Sequence, residues 1–180
     1  MAEANLTAAD LKAYRKDEIV LQMSAIVLTT STLLIQNSSL EGFYSTGEGG
    51  AVYSLNTHTS VFDSNFSNND ASMGAALYLG CDEDQDECDY YINRTTFKNN
   101  VAEERGGGIH YNYFAPIIED LTFVGNQAPY GDDISAYPFR VTITNLDKVK
   151  EQVSGQTIAN PIEIQIEDYY GKVINIDNTT

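Results

Sequence analysis

The chain has 180 residues and a net charge of −16, with 10 Lys+Arg against 26 Asp+Glu. That balance argues against binding nucleic acid or an anionic membrane, because both need clustered cations. Hydrophobic residues make up 42% of the chain, with 12 Tyr and 7 Phe, enough apolar material for a packed core rather than a disordered chain.

Residues 1–18 hold most of the local helix signal, in Ala-Ala-Asp-Leu-Lys-Ala-Tyr-Arg-Lys at 8–16. Thr7 is placed to cap it with Asp10 three residues on, so this N-terminal flank reads as a short helix or an extended arm. It holds no apolar run of a secretory signal, and the expectation is a mature chain or a fragment. The longest apolar patch, 25–28 with 33–35 behind it, is broken by Thr29-Thr30-Ser31-Thr32. It is too short and too polar to span a bilayer, and no membrane insertion is expected.

Residues 19–138 are repetitive. A branched aliphatic residue (Ile35, Val61, Ile92, Ile118) stands five positions before Leu40, Phe66, Phe97 and Phe123. Three positions after those anchors come Phe43, Asn69, Asn100 and Asn126, then glycine, then Val52, Leu77, Ile109 and Ile134. The anchors are 26, 31 and 26 residues apart. A fixed period of this length marks a stacked repeat. Short strands between turn residues, without helical periodicity, predict an all-β chain. The architecture is a right-handed parallel β-helix of about five coils, residues 19–21 and 24–28 belonging to a degenerate first coil. The three aliphatic and aromatic rows become internal ladders. Gly50, Gly74, Gly107 or Gly108, and Gly131 mark a bend that excludes a Cβ or needs a positive φ. Asn69, Asn100 and Asn126 suit a bend as well, because Asn tolerates the left-handed region.

The 31-residue interval carries about five extra residues, placed in the acidic stretch from Cys81 to Asp89. A Cys81–Cys88 disulfide there closes a small loop and contributes about 2–3 kcal/mol; the alternative is two free thiols in a solvated loop. Asp82, Asp84 and Asp86 have the first spacings of a Ca²⁺ loop. The match then fails at Glu87, where glycine belongs, and at Asn93, where a bidentate Glu belongs. What is left is a looser Ca²⁺ site or a solvated acidic loop, and no other cofactor is expected. After Pro138 the texture changes. Residues 139–144, 162–167 and 172–177 alternate like strands, and 139–180 reads as a strand module, part of an immunoglobulin-like sandwich or strands donated to a partner.

Gly49-Gly-Ala-Val-Tyr53 and Phe97-Lys-Asn-Asn100 resemble the GGA[I/L/V] and FxxN repeats of the polymorphic outer-membrane protein family. Phe66-Ser-Asn-Asn69 and Phe123-Val-Gly-Asn126 match the second motif. Gly74-Ala-Ala-Leu-Tyr78 and Gly106-Gly-Gly-Ile-His110 are near matches to the first, and Gly131-Asp-Asp-Ile134 departs from it. The resemblance covers about residues 35–137. It implies a right-handed β-helical surface adhesin, of a type also seen in very large surface proteins of ciliates and other protists.

Five Asn-X-Ser/Thr sequons, at Asn5, Asn37, Asn65, Asn93 and Asn178, agree with an oxidising compartment and an extracellular or cell-surface location with N-linked glycans. Strand alternation turns Asn65 and Asn93 outward beside Phe66 and Ile92, and Asn37 approaches a turn. The enzyme alternative is a carbohydrate-active β-helix. Between residues 19 and 139 the cations are Arg94, Lys98 and Arg105, too few to hold an acidic sugar. Asp63 and Asp120 share a repeat position, but Arg94 occupies it in the coil between, about 10 Å separating the two. His58 and His110 have no metal-ligand spacing. The expected function is non-catalytic: a structural or adhesive extracellular glycoprotein, one segment of a surface fibre. Its copies are expected to associate head to tail, with 162–177 donating a strand.

Overall fold

The computed structural model describes residues 2–7, 10–12, 24–82, 88–149, 155, 161–169 and 171–174. Alternation and repeat spacing act together in it. Each coil starts with a strand whose inward residues continue a ladder, turns a corner, and repeats. Coil one is β1 (Ala2–Thr7), β2 (Asp10–Lys12) and β3 (Ile26–Thr29). Coil two is β4 (Ser31–Gln36), β5 (Ser39–Glu41) and β6 (Val52–Leu55). Coil three is β7 (His58–Phe62), β8 (Asn65–Ser67), β9 (Asp70–Met73) and β10 (Leu77–Gly80). Coil four is β11 (Tyr90–Asn93), β12 (Thr96–Lys98), β13 (Val101–Arg105) and β14 (Ile109–Tyr111). Coil five is β15 (Ile117–Glu119), β16 (Thr122–Val124) and β17 (Ile134–Ala136).

Three parallel five-stranded sheets run along the stack, ordered β1-β4-β7-β11-β15, β2-β5-β8-β12-β16 and β3-β6-β10-β14-β17, with β9 and β13 as a short fourth side. This is a parallel β-helix. The expected ladders are in register: Ile35, Val61, Ile92 and Ile118, then Leu40, Phe66, Phe97 and Phe123, then Val52, Leu77, Ile109 and Ile134. All members in coils two to four are fully buried, while Ile118, Phe123 and Ile134 of coil five are half-buried. The phenyl rings stack, Phe66 on Phe97 and Phe97 on Phe123, each pair with centroids 5.3 Å apart.

Of the two N-terminal alternatives the structure has the extended one, and the boundary of the β-helix moves forward from residue 19 to include it. Residues 2–7 and 10–12 are strands of the first coil, Leu6 opposite Ile35 and Leu11 opposite Leu40. A local helix preference is worth only tenths of a kcal/mol per residue, and a row of ladder hydrogen bonds on an existing sheet overrides it. Residues 19–21 lie outside the described residues.

The corners also correct the sequence reading. Positive φ falls at Gly42, Asn68, Asn99 and Gly125, one position before Phe43, Asn69, Asn100 and Asn126. The buried asparagines serve a different purpose. Asn100 Oδ1 accepts from the backbone N–H of Asn69 (3.1 Å) and from its Nδ2 (2.9 Å), and Asn100 Nδ2 donates to Phe66 O (3.1 Å) and Asn126 Oδ1 (3.0 Å). Asn69 Oδ1 in turn accepts from the N–H of Phe43 at 3.0 Å. An amide has both a donor and an acceptor, so a column of them satisfies the backbone groups that a bend would leave unpaired. The next corner is all glycine: Gly49, Gly74, Gly106 and Gly131 have φ of 61 to 69°. Gly50 and Gly107 exclude a Cβ instead, since one would stand 2.4 Å from the carbonyl oxygens of Ala75 and Asp132.

Cys81 and Cys88 are disulfide-bonded and packed into the core where the connection from β10 to β11 begins and ends. Among the described residues no helix is long and apolar enough to cross a membrane. The chain divides into two compact units, Met1–Ala136 and Tyr137–Thr180. In the second, β18 (Arg140–Ile143) pairs antiparallel with β19 (Ile164–Glu167), and α1 (Leu146–Val149) is one turn of helix. Val173 bridges Glu167 and the N–H of Ile174 donates to Ile166 O. β19, part of the segment expected to be donated, is therefore paired with β18 along one edge and, at Ile166–Glu167, with Val173–Ile174 on the other.

Phe97→Ala removes the middle ring of the stack. Urea unfolding should register a loss of about 3–5 kcal/mol, with the β-rich far-UV spectrum retained at zero denaturant. A loss below about 1 kcal/mol would mean that Phe97 is not in a packed interior.

Candidate functional site: the outer face of the first sheet

With the inward rows consumed by the core, chemistry is left to the outward rows. On the first sheet, pairing aligns Leu34, Ser60, Tyr91 and Ile117 in one outward row and Gln36, Phe62, Asn93 and Glu119 in the next. The corner that follows carries Asn37, Asp63, Arg94 and Asp120, all with φ of 47 to 49°. Arginine is an uncommon occupant of the left-handed region.

Its guanidinium explains the choice. Arg94 Nε donates to Asp63 Oδ1 at 2.6 Å and Nη2 to Asp63 Oδ2 at 2.8 Å, a two-pronged pair across adjacent coils. Nη1 donates to Asn93 Oδ1 at 3.2 Å. Asn93 Nδ2 donates to Tyr91 Oη and to Glu119 Oε2, each at 2.9 Å, and Tyr91 Oη donates to Glu119 Oε2 at 2.5 Å. The Phe62 ring lies tilted against Tyr91, centroids 5.4 Å apart. The hydrogen bonds from Arg94, reinforced by its charge, hold the Asp63 carboxyl below the usual carboxylate range. Asp63 is thus kept ionised and occupied. Beside this network a polar depression of about 560 Å³ runs over the corner, lined among others by Asn37, Ser39, Asp63, Asn65, Arg94 and Thr96.

The sequence-predicted residues fall as follows. Asn37 is exposed on the corner and Asn65 half-buried on the edge of the depression. Asn93 does not fit the expectation of an exposed sequon: it is 7% exposed. Alternation does turn it outward, but Arg94, Tyr91 and Glu119 close over it. Asn5 lies on β1; Asn178, Asp84 and Asp86 lie outside the described residues. Asp82 is exposed and exchanges two hydrogen bonds with Asn56: Asn56 Nδ2 donates to Asp82 Oδ2 at 2.6 Å, and the Asp82 N–H donates to Asn56 Oδ1 at 2.7 Å. Among the described residues no three His, Cys, Asp or Glu side chains converge as metal ligands. Phe62, Tyr91 and Glu119 escaped the sequence reading. The signal was present, since they flank the ladder residues Val61, Ile92 and Ile118 by one position.

A second column, on the third sheet, stacks Tyr53 on Tyr78 (5.2 Å, nearly parallel) and Tyr78 against His110 (5.6 Å). His110 is fully buried, its Nδ1 2.7 Å from Ser135 Oγ. Burial, with Arg105 nearby, pushes its pKa down to about 3. A nucleophilic serine must be reachable by substrate, and Ser135 is 1% exposed, so this pair is structural.

Residues 94–112 match the Chlamydia polymorphic membrane protein repeat. A probable autotransporter of Escherichia coli, YfaL, is 28% identical over 135 residues, covering 73% of this chain and 11% of that protein. The chain therefore spans about a tenth of that relative's length. No solved structure matches significantly. Residues 94–112 thus carry a repeat of the polymorphic membrane protein type.

His110 gives the fold a pH dependence of known sign. The unfolded chain takes the proton near pH 6.5 and the folded chain only near pH 3, so stability falls as pH drops through that window, by up to about 1.4 kcal/mol per unit. Between about pH 7 and pH 5 the wild type should lose about 2 kcal/mol more than His110→Gln. Denaturant titrations of both at the two pH values measure it; equal losses would show that His110 is not buried as a neutral ring.

Proposed function

We propose that the chain is a non-catalytic adhesive and structural segment of a cell-surface protein, using the outer face of its first sheet as the contact surface. The observation that carries this reading is the Asp63–Arg94–Asn93–Tyr91–Glu119 network. It holds rings, amides and charges in fixed positions on an accessible, rigid sheet, where little ordering is left to oppose binding. The carbohydrate-active alternative is less well supported. The carboxylate that shares a column with Asp120 is Asp63, and Arg94 keeps it ionised and sits between the two, so no acid/base pair of glycosidase type forms there. A fibre role is supported by the repeat itself: every sheet runs along one axis, and coils add without changing the cross-section.

Beads coated with the full chain should adhere to a panel of immobilised glycans and extracellular-matrix proteins above albumin-coated beads. Tyr91→Ala with Arg94→Ala should cut that adhesion about tenfold, about 1.4 kcal/mol, and no polysaccharide in the panel should release reducing ends. Unchanged adhesion by the variant would remove this face from the reading; release of reducing ends would replace it with an enzyme.

The glycoprotein part of the proposal rests on Asn37, exposed on a tight corner in an Asn-Ser-Ser sequon. Secreted from a eukaryotic host, the chain should carry a glycan at Asn37 and none at Asn93, whose amide is engaged. Glycopeptide mass spectrometry reads both sites, and the reverse occupancy would contradict the geometry.

A further inference from the structure

The second unit places its apolar side chains on the wrong side for a sheet standing by itself. Pairing sets Val141 opposite Ile166 and Ile143 opposite Ile164. Opposite residues share a face, and the two-residue period adds Phe139 and Ile162 to it. The other face is polar: Arg140 stands 3.9 Å from Glu167, and Gln165 Nε2 donates to Glu167 Oε1 at 3.2 Å. Yet the apolar face is the open one. Phe139 is 61% exposed, Val141 67%, Ile143 43%, Ile162 47% and Ile164 63%, and Tyr169, whose ring meets Phe139 edge-on at 5.2 Å, is 50% exposed. Single exposed apolar residues are ordinary, but a contiguous patch of this kind marks an interaction surface. The described strands, β18 and β19 with a bridge at Val173, make a narrow sheet, and such a sheet gains its stability from packing on something else.

We propose that the occupant is a second copy of the chain, applying the same face about a twofold axis to make a small two-layer sandwich. Area supports it: six side chains at these exposures present on the order of 600 Å² per copy, so the pair covers roughly 1,200 Å², enough for a specific interface. Charge supports it as well. Copies at −16 repel each other, and the rungs Val141–Ile166 and Ile143–Ile164 bring no formal charge into the contact, Arg140 and Glu167 facing the other way. The patch is apolar on both strands, Val141 and Ile143 on β18 and Ile164 and Ile166 on β19, so a twofold axis through it lays apolar on apolar. Strand donation by β19 is less suited, because β18 holds one edge along its length and Val173–Ile174 hold the other at Ile166–Glu167.

Sedimentation equilibrium of the full chain from ~1 to ~100 µM tests this, as a self-association must depend on concentration. The expected result is a closed monomer–dimer equilibrium. Val141→Glu with Ile164→Glu should leave monomer throughout, with an unchanged far-UV spectrum for the β-helix. A second readout does not depend on those variants. Both natural cysteines are in the disulfide, so Val141→Cys introduces one free thiol, and mild oxidation should give covalent dimer at least tenfold faster than Thr142→Cys on the opposite face. Four outcomes overturn the proposal: a wild type monomeric over the whole range, a dimer that survives the double variant, equal cross-linking at 141 and 142, or binding to phosphatidylcholine vesicles in place of a second copy.

Discussion

Each coil of this protein can complete its hydrogen bonding and its core only through the coil above and the coil below. Backbone N–H and C=O groups point along the stack axis, and the interior is a set of one-residue-wide ladders. A residue that slips by one position turns a whole side-chain set from core to solvent, so equivalent residues must keep their order from coil to coil. The corners enforce that order. Three columns of left-handed residues, at 37/63/94/120, 42/68/99/125 and 49/74/106/131, turn the chain at the same height in successive coils. The buried amides of Asn69, Asn100 and Asn126 then tie one bend to the next. Extra length is tolerated where it leaves this frame undisturbed. The long coil carries its insertion between Cys81 and Cys88, whose bond returns the chain to the core at β11.

The same constraint explains where function can reside. Inward positions are committed to branched and aromatic side chains, and the bends to glycine or short polar residues. Outward rows are not committed, so chemistry accumulates there. Arg94 is informative because it combines both situations: a corner residue in an unfavourable conformation whose side chain organises an outward row. Exposed ion pairs contribute little to stability, so the Arg94–Asp63 pair matters for position more than for energy. It fixes Asn93, and through Asn93 the Tyr91 hydroxyl and Glu119. The surrounding acidity leaves that cation as a local exception on a negative surface, consistent with contacts made through rings and hydrogen bonds rather than bulk charge.

The two units solve the edge and surface problem differently. The β-helix keeps its ladder residues inside closed coils, while outward positions such as Ile117 and Val124 stay exposed. The described strands of the second unit do not close on one another, and the apolar face that they share is exposed. For a chain at −16, an uncharged face is where the proposed pairing of copies meets least repulsion.

The parallel β-helix, its coil register, the three internal ladders and the insertion site were legible in the sequence. They depend on period and alternation, and stacking turns a linear period directly into spatial contact. That residues 2–7 join the first coil was not legible beyond an extended alternative, because such a strand is made by the sheet it joins and leaves a weak local signal. The left-handed column one residue before the asparagines was missed for a related reason: composition identifies a bend, but only backbone coordinates say which residue of it turns. Asn93 shows the limit most clearly. Alternation sets the direction of its side chain; its burial is decided by Arg94, Tyr91 and Glu119, neighbours from its own coil and the next that only the folded stack brings together.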